Sequence, residues 1–263
     1  MIKRLLFCML LLGGLAGSAA AQQKLVESFD DWTNPTDKKP NAAGWRAVQP
    51  RLGYVVKKDD TRTWLDATSQ PGGSSFHGWN WVVYRPLDFR DKPASLRLSF
   101  DVYFVWYTGP TLWLGGTDGK TTSGYGVSMM QHHTTGNRID VVKLDGAEFK
   151  RGGGSGSLTG LYRKADLSDW VSGMGKLASL KRSAWERVVL QVDRLDEGAV
   201  RCRVYYGGNT WPVLDVVDRE GIDPATLTHV FFSAKGTGKK HPVYLDNLVV
   251  ETIEPERSDS KQE

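Results

Sequence analysis

Val243-Tyr-Leu-Asp-Asn-Leu-Val-Val250, near the end of the chain, has a counterpart near its start in Leu25-Val-Glu-Ser-Phe-Asp-Asp-Trp32. Both segments are apolar and have the character of β-strands. Between them lie many short stretches in which apolar and polar residues alternate, and almost no helical pattern. A β-sandwich is closed when its first and last strands meet, so this framing predicts one compact domain over residues 22–254.

The clearest alternation covers residues 96–104. Leucine, phenylalanine and valine occupy every second position there, and Arg97, Ser99, Asp101 and Tyr103 occupy the positions between them. Further stretches with the same period of two are residues 79–85, 125–133, 186–193 and 199–206. This pattern predicts an all-β, antiparallel, two-sheet sandwich.

Two dipeptides give local signals within this pattern. Asp145-Gly146 follows a strand-like run and predicts a hairpin turn. Asp223-Pro224 predicts the start of one short helix, with Asp223 as the N-cap and Pro224 at the first helical position.

Residues 1–21 have the layout of an export signal. Lys3 and Arg4 form a basic start, an apolar run follows, and Ala19-Ala20-Ala21 resembles a cleavage site. The apolar run is too short to span a bilayer. We therefore expect a secreted or periplasmic protein without a membrane span, with a signal peptide at residues 1–21 and a disordered tail at residues 255–263.

The charge balance argues against one class of partner. The chain of 263 residues has 34 Lys and Arg against 30 Asp and Glu, and loss of Lys3 and Arg4 with the signal lowers the formal charge from +4 to +2. So small a charge without a basic cluster is not typical of a nucleic-acid binder. The mild basic bias favours an acidic glycan over a neutral one, but only weakly.

Cysteine usage and aromatic content describe the core. Cys202 is the only cysteine after the signal, so no intrachain disulfide can form, and its alternation with Val200 and Val204 predicts a small buried side chain. Ten Trp, nine Tyr and nine Phe can supply a large core without cross-links. We expect the domain to be a monomer.

A family resemblance is carried by two adjacent strands. Trp185-Glu-Arg-Val-Val-Leu-Gln-Val-Asp193 and Val200-Arg-Cys-Arg-Val-Tyr-Tyr-Gly-Gly208 resemble a hairpin of the concanavalin A-like jelly rolls. Phe29-Asp-Asp31 and the segment 244–250 resemble the framing strands of that superfamily, and the resemblance covers the chain after the signal. It implies a jelly-roll sandwich of the concanavalin A type. Since the superfamily includes lectins, laminin G-like modules, glucanases and polysaccharide lyases, it does not select one activity.

The resemblance also implies a metal. Members of the superfamily often hold a structural calcium between their terminal strands, and Asp30 and Asp246 occupy the matching segments of this chain. Calcium prefers clustered oxygen ligands of this kind. The alternative is that Asp246-Asn247 only ends a strand pair.

Catalytic patterns are incomplete. The Glu-x-Asp-x-x-Glu pattern of jelly-roll glucanases is missing from the sequence, which disfavours hydrolysis by that route. Gln131-His132-His133 resembles the Gln-x-His motif of alginate-type lyases, whose Arg-x-Glu-x-Arg and Lys-Ala-Gly-x-Tyr motifs are missing here. The resemblance implies His133 or Tyr125 as proton-transfer groups, with Gln131 and Arg97 or Arg85 near the uronate carboxylate. Alternatively, the two histidines begin a polar hairpin turn.

Glycan binding requires only rings and hydrogen-bonding side chains. The candidates for a platform on the concave sheet are His77, Trp79, Trp81, Arg85, Trp106 and Trp113. Tryptophan in a sandwich without disulfides also fills core, so this alternative applies to each ring.

Three hypotheses follow for function. The first is an exported jelly-roll protein that binds a polysaccharide on its concave sheet. The second is a polysaccharide lyase that cleaves a uronate-containing glycan by β-elimination in the same groove. The third is a laminin G-like adhesion or structural module without a sugar site.

Overall fold

The structure is a computed structural model that describes residues 22–36, 38–48, 54–67, 82–104, 109–132, 136–149, 158–159, 183–235 and 242–254. These residues form fifteen β-strands and two short 3₁₀ helices. The strands are β1 Lys24–Glu27, β2 Arg46–Ala47, β3 Val55–Lys58, β4 Thr63–Asp66, β5 Val82–Pro86, β6 Ser95–Phe104, β7 Gly109–Thr117, β8 Thr121–His132, β9 Gly136–Phe149, β10 Leu158–Thr159, β11 Glu186–Arg194, β12 Val200–Tyr206, β13 Leu214–Asp218, β14 His229–Lys235 and β15 Val243–Thr252. The 3₁₀ helices are Asp196–Gly198 and Pro224–Thr226.

The strands form two antiparallel sheets. The eight-stranded sheet has the order β13-β12-β11-β6-β15-β4-β3, and β1 also pairs with β15. The seven-stranded sheet has the order β10-β9-β8-β7-β14-β5-β2. The pairing of β1 with β15 runs from Lys24 opposite Glu251 to Glu27 opposite Leu248, so the two framing segments of the sequence meet as expected. The prediction of an all-β, two-sheet antiparallel sandwich is confirmed.

The core lies between the two sheets. In β6, the apolar positions of the 96–104 alternation are all buried, and each belongs to the main hydrophobic cluster. Cys202 of β12 is fully buried in the same cluster, as its alternation predicts. Burial raises the pKa of the Cys202 thiol well above its ordinary value, because the thiolate would lose its hydration.

Of the two predictions made from dipeptides, the helix start at Asp223-Pro224 is confirmed and the hairpin turn at Asp145-Gly146 is wrong. Asp223 caps the short helix at Pro224–Thr226, because its carboxylate accepts a hydrogen bond from the Ala225 amide at 3.0 Å. The hairpin prediction at Asp145-Gly146 is wrong, because β9 continues through both residues. Gly146 has a φ of +60° and lies in an irregularity of the β8–β9 pairing, between Gly124 and Thr122 of β8. A glycine with positive φ is typical of a β-bulge as well as of a turn.

Within the described ranges, no helix is both long enough and apolar enough to cross a membrane.

Candidate functional site

A row of aromatic rings crosses the face of the seven-stranded sheet that is turned away from the core. Phe231 of β14 is paired with Tyr84 of β5 on one side and with Trp113 of β7 on the other. The ring centroids of Phe231 and Trp113 are 4.8 Å apart with planes only 3° from parallel, and those of Phe231 and Tyr84 are 5.5 Å apart. We call these three side chains the aromatic row.

Strand alternation and two glycines explain this arrangement. Leu112 and Leu114 of β7 point into the core, so Trp113 between them points outward. Gly126 of β8 is paired with Trp113, and a Cβ at that position would lie 2.6 Å from the Trp113 Cβ. A Cβ at Gly124 would collide with the Leu114 carbonyl oxygen. The glycines therefore allow β8 to approach β7 closely at the base of Trp113.

A row of polar side chains lies next to the aromatic row on the same face, two residues further along each strand. Its members are directly paired across β14, β7, β8 and β9, and they are Ser233, Thr111, Ser128 and Asp140. All four side chains are buried although they do not face the sandwich core. The Thr111 hydroxyl donates to the Ser128 hydroxyl at 3.1 Å, and the Ser233 hydroxyl has no hydrogen-bond partner among the described residues. Buried polar groups are normally satisfied, so this hydroxyl is one of the exceptions within the described ranges.

The accessible end of the same face carries three functional groups. Arg46 of β2 is paired with Tyr84, and the Tyr84 ring contacts the His229 ring edge-on at a centroid distance of 5.7 Å. All three side chains are half-buried. Within the described part of the chain, Arg46 has no ion pair and the Tyr84 hydroxyl has no hydrogen bond. We call these residues the Arg46 group.

Electrostatics favour a neutral imidazole in the Arg46 group. Burial lowers the pKa of His229 below its ordinary value, and the positive charge of Arg46 lowers it further, whereas the negative charge of Asp88 opposes this shift. The Thr228 hydroxyl lies 2.9 Å from Nδ1 of His229 and orients the ring. A neutral imidazole near pH 7 can accept a proton, and the unpaired guanidinium can bind an anion.

Trp113 is the only one of the predicted platform tryptophans that lies within the described residues. It belongs to this face, but it has no exposed surface. Its indole Nε1 lies 3.3 Å from the Thr122 hydroxyl, and its ring packs against Phe231. The prediction that Trp113 itself stacks on a sugar is therefore corrected to a packing role, because Phe231 beside it is also fully buried and both rings belong to a second hydrophobic cluster. The predicted residues His77, Trp79, Trp81 and Trp106 lie outside the described residues.

Tyr125 faces the core. It is fully buried on β8, its hydroxyl donates to Asp218 at 2.7 Å, and it accepts a hydrogen bond from the Ile222 amide at 2.7 Å. Burial is the main cause that raises the pKa of Tyr125. A side chain with these contacts and no access to solvent has a structural role, which corrects the prediction of Tyr125 as a proton-transfer group.

The predicted lyase set is not assembled. Arg97 lies on β6 of the eight-stranded sheet, where its guanidinium donates to Gln191 at 3.2 Å and lies 3.6 Å from Glu251. Gln131 lies on β8 of the other sheet, with its backbone paired to Asn137. Because Arg97 and the β8 residues are on different sheets, they cannot share one groove. His133 and the side chain of Gln131 lie outside the described residues.

Arg85 points inward and not toward the site. Its guanidinium lies 3.0 Å from the Glu27 carboxylate, and the neighbouring Val83 is part of the core. The prediction that Arg85 binds a glycan or its carboxylate is therefore corrected, since Glu27 already neutralises this cation.

The calcium expectation does not fit these residues. Arg62 lies between two carboxylates, 3.2 Å from Asp246 and 3.2 Å from Asp101, so a cationic side chain occupies the place beside Asp246. Asp30 is exposed and accepts a hydrogen bond from Ser28 at 2.8 Å. The part of the chain that the structure describes contains no group of three or more acidic, histidine or cysteine side chains that could hold a metal.

Sequence reasoning missed the Arg46 group. Arg46, Tyr84 and His229 come from strands that are far apart in the chain and are joined only by sheet pairing. The single signal was the run His229-Val-Phe-Phe-Ser233, whose alternation predicts a strand with a histidine, an aromatic ring and a hydroxyl on one face.

Comparison with known proteins supports the fold. No family model matches the sequence, and no curated protein matches it. Among solved structures, the carbohydrate recognition domain of Emp47p is similar at 12% identity and a TM-score of 0.53, over 90% of this chain and 99% of that domain. The alginate lyase Aly36B, solved with an alginate trisaccharide, is similar at 13% identity and a TM-score of 0.50, over 88% of this chain and 99% of the lyase. The Ca²⁺- and Man3GlcNAc-bound lumenal domain of VIP36 is similar at 8% identity and a TM-score of 0.48, over 83% of this chain and 90% of that domain.

These likenesses show the fold of the chain alone, which is a two-sheet antiparallel jelly roll. The jelly-roll sandwich that the resemblance implies is confirmed.

Proposed function

We propose that this protein binds a polysaccharide on the outer face of the seven-stranded sheet. The observation that carries the proposal is the continuity of three features on one face: the aromatic row, the buried polar row beside it, and the accessible Arg46 group. Tyr84 is the half-buried ring of the aromatic row and can contact the apolar face of a sugar, while the buried Phe231 and Trp113 support it from the sheet. Arg46 and His229 beside Tyr84 can hydrogen-bond the sugar hydroxyls. Two proteins of similar structure, the Emp47p carbohydrate recognition domain and the alginate lyase Aly36B, have sugar ligands, which supports a sugar ligand for this chain.

The charge of the Arg46 group supports an acidic glycan. Arg46 is half-buried, and within the described residues it lacks a carboxylate partner. A guanidinium in a partly dehydrated position gains most from an anionic ligand, because it can hold a carboxylate through two parallel hydrogen bonds. We therefore infer a uronate-containing polysaccharide.

The experiment is affinity electrophoresis of the purified protein in gels that contain alginate, polygalacturonate or a neutral glucan. We expect retardation by at least one acidic polysaccharide, and a loss of about ten-fold to one hundred-fold in affinity in Arg46→Gln, since one charge-assisted contact contributes about 1.5–3 kcal/mol. Arg201→Gln is the matched control, because Arg201 is paired with Asp215 on the other sheet. Equal retardation of the Arg46→Gln variant and the wild type would exclude this site.

A second candidate function, β-elimination, is favoured by the pairing of a neutral imidazole with a free phenol. His229 would remove the proton α to the uronate carboxyl, and the electrons of that C–H bond would form the new carbon–carbon double bond. The glycosidic C–O bond would break, and its oxygen would take a proton from the Tyr84 hydroxyl. Arg46 would neutralise the carboxylate as charge develops on it. These roles go to residues other than those that the sequence suggested.

The absorbance of unsaturated product, near about 235 nm, separates this function from binding alone, because only elimination creates the conjugated double bond. We expect His229→Ala and Tyr84→Phe to abolish the signal while acidic polysaccharide still retards both variants. Retardation without any absorbance change in the wild type would leave binding as the function. A protein that neither binds nor cleaves any glycan would instead support the adhesion or structural hypothesis.

Export is part of the proposal. It rests on the layout of residues 1–21, which lie outside the described residues, and on the glycan ligand, which is found outside the cytoplasm. Recovery of a mature chain that begins at Gln22 from the periplasm or medium is the expected result, and recovery of the full-length chain from the cytoplasm would contradict it.

A further inference from the structure

Four aromatic side chains cluster on the outer face of the eight-stranded sheet, on the opposite side of the sandwich from the proposed site. They are Trp64 of β4, Tyr103 of β6, Trp185 immediately before β11, and Tyr244 of β15. Each ring contacts at least two of the others, with centroid distances from 5.2 to 6.3 Å. All four are half-buried, and none belongs to the core. We call them the ring cluster.

The hydrogen-bonding groups of the ring cluster are unused. Within the described residues, the hydroxyls of Tyr103 and Tyr244 and the indole nitrogen of Trp185 form no hydrogen bond. The indole nitrogen of Trp64 is buried and also has no partner in the described ranges. A buried donor without an acceptor lowers stability, so packing alone does not account for these rings. The donors of Tyr103, Tyr244 and Trp185, which have no acceptor among the described residues, are available to a hydroxyl-rich ligand.

The charges around the ring cluster are balanced. Among the described residues, each cation next to it contacts a carboxylate: Lys57 contacts Asp66 at 2.9 Å, Arg62 contacts Asp101 and Asp246 at 3.2 Å each, and Arg187 contacts Asp101 at 3.0 Å. Arg62 also lies over the Trp185 ring, 4.3 Å from its centroid, which fixes the edge of the cluster. These paired cations have no free charge to offer a carboxylate or sulfate. The composition of the patch therefore favours an uncharged ligand.

We propose that the ring cluster is a second glycan site and that it takes a neutral pyranose polysaccharide. The C–H faces of successive sugar rings would stack on the exposed parts of Trp185 and Tyr244, and their hydroxyls would meet the unused donors. The site differs from the Arg46 group in ligand class, because in the described part of the chain Arg46 has no carboxylate partner and Arg62, Lys57 and Arg187 each have one. The protein would then hold an acidic chain on one sheet and a neutral chain on the other.

The first experiment uses the wild-type protein. Indole N–H signals are followed by NMR during titration with manno-, cello- and laminari-oligosaccharides, and separately with alginate oligosaccharides. We expect at least one neutral series to shift the signals of Trp64 and Trp185, which are assigned with the Trp64→Phe and Trp185→Phe variants. If no neutral oligosaccharide shifts either signal, the proposal is overturned.

The second experiment separates the two sites. Tyr244→Ala should weaken the binding of the neutral oligosaccharide about ten-fold or more and leave acidic binding unchanged. Arg46→Gln should have the opposite effect, so failure of one site does not imply failure of the other. Trp211→Ala is the control, because Trp211 is 68% exposed and is not part of either site.

A thermal melt shows whether Tyr244→Ala is folded. If it is not, Tyr244→Phe, which removes only the hydroxyl, is used in the same assay. Neutral binding that is unaffected in a folded Tyr244→Ala protein, or equally weakened in Trp211→Ala, would overturn the assignment.

Discussion

The carboxylate of Glu27 lies 3.0 Å from the guanidinium of Arg85, and this ion pair joins the two sheets of the sandwich. Glu27 ends β1 of the eight-stranded sheet, and Arg85 lies on β5 of the seven-stranded sheet. The same carboxylate accepts hydrogen bonds from the Trp45 indole and from the Phe29 amide, at 2.9 Å each. Phe29 has a φ of +61°, an unusual value for a phenylalanine, and these contacts hold it there. The first strand is thus attached to both sheets.

Removal of the charge on Glu27 should lower stability. Glu27→Gln leaves the partly buried Arg85 without a counterion, and we expect a loss of about 2–4 kcal/mol in the free energy of unfolding. Urea denaturation at neutral pH measures it. Asp215→Asn breaks the exposed pair with Arg201 and should cost less than about 1 kcal/mol. Similar losses of unfolding free energy in the two variants would show that the Glu27 carboxylate does not stabilise the contact between the two sheets.

Tyr125 should affect stability but not glycan binding. Tyr125→Phe removes the donor to Asp218 and the acceptor of the Ile222 amide, both inside the sandwich. We expect unfolding to become easier by about 1–3 kcal/mol, because a buried carboxylate and a backbone amide each lose a partner. Retardation in polysaccharide gels should equal that of the wild type. A variant with unchanged stability and lost glycan binding would show that Tyr125 belongs to the binding site after all.

His229 should make stability depend on pH. Its pKa in the folded protein is lowered by burial, then by Arg46, while Asp88 acts in the opposite direction. The unfolded chain, with a histidine pKa of about 6.5, therefore takes up the proton first as the pH falls. The contribution of His229 to stability is complete above about pH 6.5 and is lost as the pH falls below that value.

Melting temperatures of the wild type and of His229→Gln, measured between about pH 7.5 and pH 5.5, test this dependence. The wild type should lose more stability on acidification than the variant, since glutamine does not titrate. Parallel curves for the two proteins would mean that His229 has an ordinary pKa in the fold.

Gly126 should be required for the position of Trp113. In Gly126→Ala the new Cβ would lie 2.6 Å from the Trp113 Cβ and from the Leu112 carbonyl oxygen, so the indole or the strand must move. We expect a loss of about 1–3 kcal/mol and a change in near-UV circular dichroism, because Trp113 stacks on Phe231. Gly208→Ala, at a turn where the added Cβ meets no atom, should leave the aromatic signal unchanged. An unaltered aromatic signal in Gly126→Ala would contradict the close approach.

Much of the fold follows from local pattern. The apolar positions of β6 are buried as their period of two predicts, and Cys202 behaves as a small apolar side chain. The pairing of the two framing segments was also predictable, since a sandwich has few ways to place its first and last strands. The hairpin error at Asp145-Gly146 has a local cause, because Asp-Gly suits a bulge and a turn equally well.

The candidate site was less predictable, because period two does not say which face is the core. Along β8, Tyr125 and Met129 alternate with small residues such as Ser128, and it is the large side chains that face inward. Arg85 shows the same ambiguity, since a cation on a strand suggests an outward position. Here Glu27 neutralises it on the inner side.

The sequence alone determined the β-sandwich, the strands that close it and the apolar face of its central strand, because each depends on neighbours a few positions away. Only the tertiary structure decided that Arg46, Tyr84 and His229 share a surface and that Arg97 does not join them. The physical reason is that a site is made by hydrogen-bond register between strands distant in the chain. That register is set by the packing of the whole core and not by any single segment.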